Sequence, residues 1–322
     1  MVIRQHLISH STHLKFFSIH IIMSYPGKAI IKTPKYTFLL NVSLHRNPYT
    51  NELESITINL GGRFDKCVTI SIPSTNTTNT DGTIASIEKK NDCSFDTPSD
   101  ESGMSQYMLR LGLTIARDFN PAVKRFYFDD CSHVECEMPD GRIIPISLRN
   151  LNIAFHGSSW YEQHFDAKLV HAHEDYRKRI ENFYKPEKKP ATFHFLNSDL
   201  QEELAPVYSS THTWADFFKA IRQKYGKKKC AVVYPWMMSA LYHIFEGNSF
   251  DNMKWYIDVE ENKAKNKTPL IPFKTYEVIS SQKGASRRIT RRHPKKQKTY
   301  PYTSFVMNPG AVMRYNYRTF LA

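Results

Sequence analysis

The sequence predicts an α/β fold, in which a mixed sheet flanked by helices is followed by a second, smaller α/β piece and a basic C-terminal tail. Three patterns lead to this prediction. Segments rich in β-branched and aromatic residues lie in the N-terminal part, an amphipathic helix and a buried strand follow, and lysine and arginine concentrate near the C-terminus. A loop, a helix, a strand and a helix in that order are typical of an α/β layer.

Strands are predicted over residues 36–44 and 55–72, where β-branched and aromatic side chains predominate. Gly61 and Gly62 separate two apolar runs of the second segment and predict a hairpin turn. A further strand is predicted over 83–87. Together these segments predict antiparallel strands that precede the helix in one sheet.

An amphipathic helix is predicted from Met104 to Phe119. Its apolar face is formed by side chains spaced four, three and four residues apart, which are Met104, Met108, Leu111 and Ile115. The helix is expected to end near Phe119, because Pro121 disfavours helical geometry at the residue before it and lacks an amide hydrogen.

A buried strand is predicted over 123–128, directly after this helix, and it ends in Asp129 and Asp130. An insertion over 131–146, with a turn at Pro139-Asp140-Gly141, separates the strand from a second helix. Ser147 is expected to cap that helix, because a serine hydroxyl accepts hydrogen bonds from first-turn amides.

The segment from Ser99 to Val170 resembles the cofactor-binding half of the GCN5-related N-acetyltransferases. In that family a loop of pattern Gln/Arg-x-x-Gly-x-Gly/Ala precedes the helix and binds the pyrophosphate of acetyl-coenzyme A through backbone amides. Asp100 and Glu101 stand where the family favours a basic or amide side chain. The resemblance implies acetyl-coenzyme A as cofactor, and its implied binding residues are Ser102, Gly103, Met104 and Ser105.

The resemblance also implies a general acid. The segment Trp160–Phe165 is similar to a family segment whose tyrosine lies near the thiol of the departing coenzyme A, so Tyr161 is the candidate acid. Asp129 and Asp130 are candidates for the general base, since they end the strand near which substrates bind in the family. The alternative is that Tyr161 only packs in the core and that the two aspartates form turns or caps.

The remaining chain is divided by composition. A charged helix over 173–184 precedes a linker rich in proline and charge at 185–190. Beyond it, Thr213 is expected to cap a helix that Gly226 ends, residues 231–234 to form a short strand, and Pro235 to start another helix. The predicted divisions are a disordered extension over 1–22, an acetyltransferase-like domain over 23–184, a second α/β region over 191–280 and a basic tail with an aromatic end over 281–322.

The composition excludes a disordered chain, because 41% of the residues are hydrophobic and 13% are aromatic. It also gives no sign of a membrane-spanning helix, which needs a run of about 18 or more apolar residues. The five cysteines are odd in number and predict reduced thiols. An intracellular location, cytoplasmic or nuclear, is therefore expected.

Cysteine and histidine also raise the question of a metal site or a nucleophile. Cys131, His133 and Cys136 are ligand types that zinc prefers, but no motif marks a fourth ligand, so no metal site is predicted. A nucleophilic cysteine that acts with His156 or His164 stays open beside the alternative of inert core thiols.

Basic residues concentrate in residues 283–298, which contain eight lysines or arginines and no acid. Such a segment attracts phosphate chains, so nucleic acid is a predicted partner. A nuclear localisation signal, an anionic membrane, an acidic protein partner and a solvated tail are the alternatives. The candidate nucleic-acid-binding residues are Arg287, Arg288, Arg291, Arg292, Lys295, Lys296 and Lys298.

Two functions are therefore expected from different classes. The first is an acetyl-coenzyme A-dependent N-acetyltransferase that transfers an acyl group to an amine. The second is a catalytically inactive protein with the same fold, used for binding or associated with a virion, whose basic tail contacts nucleic acid. The virion enters because the abundance of Asn, Lys, Tyr and Phe resembles proteins of large DNA viruses with AT-rich genomes.

Overall fold

The computed structural model describes residues 27–88, 92–95, 103–195, 198–248, 250, 253–264 and 277–281. Its strands are β1 (Gly27–Lys32), β2 (Thr37–Arg46), β3 (Leu53–Gly61), β4 (Lys66–Pro73), β5 (Asp81–Ile87), β6 (Arg125–Asp129), β7 (His133–Glu137), β8 (Ile143–Ser147), β9 (Lys168–Leu169), β10 (Lys254–Asp258) and β11 (Glu277–Ser281). Its α-helices are α1 (Met104–Phe119), α2 (Leu148–His156), α3 (Trp160–Phe165), α4 (His173–Ile180), α5 (Ser198–Ser209), α6 (Trp214–Tyr225), α7 (Lys229–Ile244) and α8 (Val259–Ala264).

Nine strands form one mixed sheet in the order β11-β1-β2-β3-β4-β5-β6-β10-β9. All neighbouring strands pair antiparallel except β5 and β6, which are parallel because α1 connects them across the sheet. The strands β7 and β8 form a separate hairpin. The predicted α/β fold with a mixed sheet and flanking helices is therefore confirmed.

Helix α1 packs on strands β3 and β4 through a glycine. A Cβ atom at Gly112 would lie 2.8 Å from Cδ1 of Ile70 and 3.4 Å from side-chain atoms of Leu60 and Val68. The helix has the predicted bounds, Met104 to Phe119, and Asn120 ends it in an extended conformation. The predicted hairpin after β3 and the predicted Ser147 cap of α2 are also confirmed.

The boundary expected at 185–190 does not divide the described residues into two domains. Strand β10 pairs with β6 and β9, and β11 pairs with β1, so the C-terminal region completes the same sheet. The described residues, from 27 to 281, all belong to one compact unit. The expected linker contains a 3-10 turn at Pro186–Lys188, and the Lys189 ammonium donates hydrogen bonds to the carbonyls of Tyr208 and Thr211 at 2.8 and 3.0 Å.

The strand expected over 231–234 is wrong, because these residues belong to helix α7. Pro235 lies inside this helix instead of in its first turn. The run of β-branched and aromatic residues is helical because its side chains pack among helices: Val233 and Trp236 are buried, and the Trp236 ring is 5.1 Å from that of Phe195 and 5.6 Å from that of Phe218. Tertiary burial here outweighs the local β propensity.

The expectation of five reduced cysteines is also wrong. Cys67 is bonded to Cys93, and Cys136 on β7 is bonded to Cys230 on α7. Cys131 carries an exposed free thiol. Disulfides persist in oxidising environments, so the cysteines no longer support the intracellular location that was expected from reduced thiols.

Among the described residues, no helix has the length and apolar character needed to cross a membrane.

Candidate active site

The sheet opens between its two parallel strands. Strands β5 and β6 are paired from Asp81–Arg125 to Thr83–Tyr127, yet β5 continues to Ile87 and β6 to Asp129. Past Thr83 and Tyr127 the two strands therefore diverge. We call the unpaired ends of these two strands the cleft; they are the carboxyl ends, the side of a parallel pair where ligands bind in open α/β sheets.

Helix α1 begins at the same side of the sheet, since it connects the end of β5 to the start of β6. Gly103 precedes its first turn with a φ of 87° and forms no side-chain cap. A Cβ atom at Gly103 would have no neighbour within 4 Å among the described residues. The Met104 side chain is buried in the core, Ser105 is half-buried, and Ser102 lies outside the described residues.

Tyr161, the candidate acid, lies on α3 against the end of β6. Its ring centroid is 4.4 Å from that of Phe128, and only 6% of the residue is exposed. Burial raises the pKa of the Tyr161 phenol well above its usual value, and the nearby Asp130 and Cys131 raise it further. The phenol therefore keeps its proton at neutral pH.

Of the two candidate bases, Asp129 is the last residue of β6 and Asp130 lies just beyond it. Phe126 and Phe128 are buried on the face that carries Tyr161, and because side chains alternate along a strand, Asp129 lies on the other face, paired in register with Lys254 of β10. The structure therefore brings only Asp130 together with Tyr161.

Asp130 is half-buried just beyond the end of β6. The Ser132 amide donates a hydrogen bond to its Oδ1 at 3.1 Å, and the Ser132 hydroxyl also donates to Oδ1. Burial raises the pKa of the Asp130 carboxyl despite these hydrogen bonds and despite the positive charge of Arg149. A carboxylate with a raised pKa is a better proton acceptor than an exposed aspartate.

Helix α3 is held in place by a capping box that the sequence analysis missed. The Glu162 amide donates to the Ser159 hydroxyl at 3.2 Å, and the Ser159 amide donates to Glu162 Oε2 at 2.7 Å. The Tyr176 hydroxyl donates to the same Oε2 at 2.6 Å. The pattern Ser-x-x-Glu at 159–162 is a known start signal for a helix and marks this element in the sequence.

Two histidines named as partners for a nucleophilic cysteine have other contacts. Nδ1 of His156 lies 3.3 Å from Nη1 of Arg222, and Nδ1 of His164 lies 3.0 Å from Nε2 of Gln106. Cys136, one of the possible zinc ligands, is bonded to Cys230. Across the described ranges, no group of three or more His, Cys, Asp or Glu residues is arranged to hold a metal ion.

The seven candidate nucleic-acid-binding residues, Arg287 to Lys298, lie outside the described residues.

No protein-family model matches this sequence, and neither a curated protein nor a solved structure matches the chain. The functional argument therefore depends on the geometry of the cleft.

Proposed function

We propose that the protein is an acetyl-coenzyme A-dependent N-acetyltransferase of the GCN5-related type, which transfers an acyl group to an amine. One observation carries the proposal: the only parallel strand pair among the described residues diverges beside Tyr161, at the side where α1 begins. A cleft of this kind exposes unpaired strand backbone and helix amides to a ligand.

The residues at the start of α1 fit a phosphate-bearing cofactor. Among the described residues, no atom lies within 4 Å of a Cβ placed at Gly103, and no side chain caps the amides of the first turn. Uncapped first-turn amides attract anions, because they carry the positive end of the helix dipole. Acetyl-coenzyme A supplies the acyl group when it is bound.

The side chains near the cleft have complementary proton roles. The Asp130 carboxylate, with its raised pKa, accepts a proton from the attacking amine. The Tyr161 phenol, whose pKa the nearby Asp130 raises, would donate its proton to the leaving group, and the proton that Asp130 accepts would then restore the phenol. Burial makes this phenol a weak acid, but the same burial makes a leaving thiolate more basic, so proton transfer between the two remains feasible.

The binding step is tested by isothermal titration of acetyl-coenzyme A into the full chain. Gly103→Glu is expected to abolish binding, because the added carboxylate occupies the open space in front of the first-turn amides. Gly141→Glu is the matched control: Gly141 also has a positive φ, 79°, and open space, but lies in the turn between β7 and β8. Absence of binding to the folded wild-type chain contradicts the proposal.

A further inference from the structure

The loop between β4 and β5 contains an asparagine in the pattern that accepts N-linked glycans. Asn76-Thr77-Thr78 has the form Asn-x-Ser/Thr, in which x is not proline. Asn41 and Asn266 begin two further segments of this form. Because the pattern is short and also occurs by chance, the structural surroundings of each asparagine decide which one is a plausible acceptor.

The segment that begins at Asn41 is poorly placed for modification. Asn41 is half-buried in the middle of β2, where it is paired in register with Lys28 of β1 and with Asn59 of β3. A residue whose backbone is held between two neighbouring strands is not free to enter the active site of another enzyme. Asn266 lies outside the described residues. The structural argument therefore concerns Asn76.

Asn76 lies in a part of the loop that projects from the sheet. Residues 75–79 are all exposed. Nδ2 of Asn120 donates a hydrogen bond to the carbonyl of the last residue of β4 at 3.0 Å, and the Lys124 amide donates to the Thr80 carbonyl at 2.8 Å. Both ends of the loop are thus fixed to the segment that follows α1, while the residues between them face solvent. A bulky polar group at Asn76 would displace no core side chain.

Hydrogen bonds within the loop form a turn at the acceptor. The Asn76 amide donates to the Ser74 hydroxyl at 3.3 Å, and the Thr77 hydroxyl donates to the Ser74 carbonyl at 3.0 Å. The Thr77 side chain is therefore used inside the loop. Asn76 and Thr78, the two residues that define the pattern, are both exposed.

The two disulfides are an independent observation that indicates the same environment. Cys67 is bonded to Cys93 and Cys136 to Cys230, and neither bond includes a residue of the loop. Disulfides form and persist in the secretory pathway and outside the cell. Asparagine glycosylation is likewise a modification of surface loops in secreted proteins. An exposed acceptor pattern is thus present in a chain whose disulfides fit the compartment where such patterns are modified.

We propose that Asn76 is the attachment site of an N-linked glycan. The donor is an oligosaccharide linked to a polyprenyl diphosphate. Nδ2 of Asn76 forms a bond to the anomeric carbon of the sugar while the bond from that carbon to the diphosphate oxygen breaks. The diphosphate leaves with the bonding electrons, and a base of the transferase takes one proton from Nδ2.

The proposed glycan does not depend on the proposed acyl transfer. The loop precedes β5, whereas the cleft lies at the carboxyl end of that strand. The seven residues of β5 separate the two sites by about 20 Å, at about 3.3 Å per residue. A glycan at Asn76 would therefore leave the cleft uncovered.

The test is treatment of the full chain, expressed in eukaryotic cells, with peptide N-glycosidase, which removes the glycan and converts the modified asparagine to aspartate. Wild type is expected to lose mass in a discrete step, and mass spectrometry should find aspartate at position 76. Asn76→Gln should lack this step. Asn79→Gln is the matched control and should keep it, because Asn79 is exposed in the same loop but is followed two residues later by Asp81.

Thr78→Ala and Thr78→Ser form a second pair of variants, which leave Asn76 in place. Alanine lacks the hydroxyl that the pattern requires and should abolish the modification, whereas serine keeps the hydroxyl and should retain it. Thermal melts establish that the variants fold. A wild-type chain without a glycan at Asn76, or a glycan there that persists in Thr78→Ala, overturns the proposal.

Discussion

At the scale of the residue, the contact between α1 and the sheet depends on the absence of a side chain at Gly112. Gly112→Ala is expected to reduce the free energy of unfolding by about 1–3 kcal/mol, because the new Cβ would lie 2.8 Å from Cδ1 of Ile70. Alanine alone would stabilise a helix by about 1 kcal/mol relative to glycine, so a loss of stability would show that the close contact with Ile70 outweighs helix propensity. Urea denaturation measures it, and a more stable variant contradicts this packing.

Catalysis is expected to depend on one aspartate of an adjacent pair. Tyr161→Phe and Asp130→Asn are each expected to lower kcat/KM for acyl transfer by about 100-fold or more, the usual contribution of a general acid or base. Asp129→Asn is the control with little effect, because Asp129 lies on the opposite face of β6. Since the pKa of Asp130 is raised, the acid limb of the wild-type pH profile should lie above the range of an ordinary aspartate. Equal losses in both aspartate variants would contradict the assignment.

At the scale of the element, the sequence predicts the bounds of a helix or strand well when residues within or next to that element determine them. The spacing of apolar residues and Pro121 gave the bounds of α1, and Ser147 marked the start of α2. The same reasoning failed for α7, whose β-branched run is buried among helices. It also missed that β10 joins β6, because Lys254–Asp258 pairs with residues more than a hundred positions away.

The candidate site could be predicted only in part for the same reason. Tyr161 and Asp130 could be named as candidates because a segment pattern and a strand end marked them in the sequence. The disulfides were missed because Cys136 and Cys230 are 94 positions apart, a spacing that carries no local signal.

Helix α3 is expected to depend on Glu162, whose side chain is 8% exposed. Glu162→Ala removes the acceptor for the Ser159 amide and the Tyr176 hydroxyl, and should destabilise the fold by about 1–3 kcal/mol. Chemical denaturation measures this loss. Glu174→Ala, in the exposed first turn of α4, is the control and should change stability little. A similar loss in both variants would show that the capping box contributes nothing particular.

The bond between Cys136 and Cys230 ties the β7–β8 hairpin to α7 across 94 positions. Loop closure over such a length constrains the unfolded chain, so the double variant Cys136→Ala/Cys230→Ala should lose about 2–4 kcal/mol of stability. Alkylation and mass spectrometry without reductant should label Cys131 alone. Cys131→Ala is the control, with stability near that of wild type. Labelling of all five cysteines in the native protein would contradict both bonds.

At the scale of the whole molecule, one sheet contains strands from both ends of the described chain. Strand β1 pairs with β11, and β6 pairs with β10, so residues 254–258 and 277–281 flank the N-terminal strands on opposite sides of the sheet. Unfolding of the described part is therefore expected to be cooperative across the boundary that composition suggested at 185–190. The N-terminal strands and the C-terminal helices are therefore expected to unfold together.

Much of the positive charge of the chain lies outside the described residues. Residues 283–298 contain eight basic residues and no acid, out of a net charge of +13 for the chain. If they bind nucleic acid, the affinity for single-stranded DNA should fall steeply with salt, by about 10³-fold or more between 50 and 200 mM if six or more phosphates are contacted.

Replacing Arg287, Arg288, Arg291, Arg292, Lys295, Lys296 and Lys298 with glutamine should remove most of that affinity and flatten its dependence on salt. Fluorescence anisotropy with a labelled oligonucleotide measures both quantities. If the glutamine variant keeps its affinity and salt dependence, nucleic acid binds elsewhere on the chain.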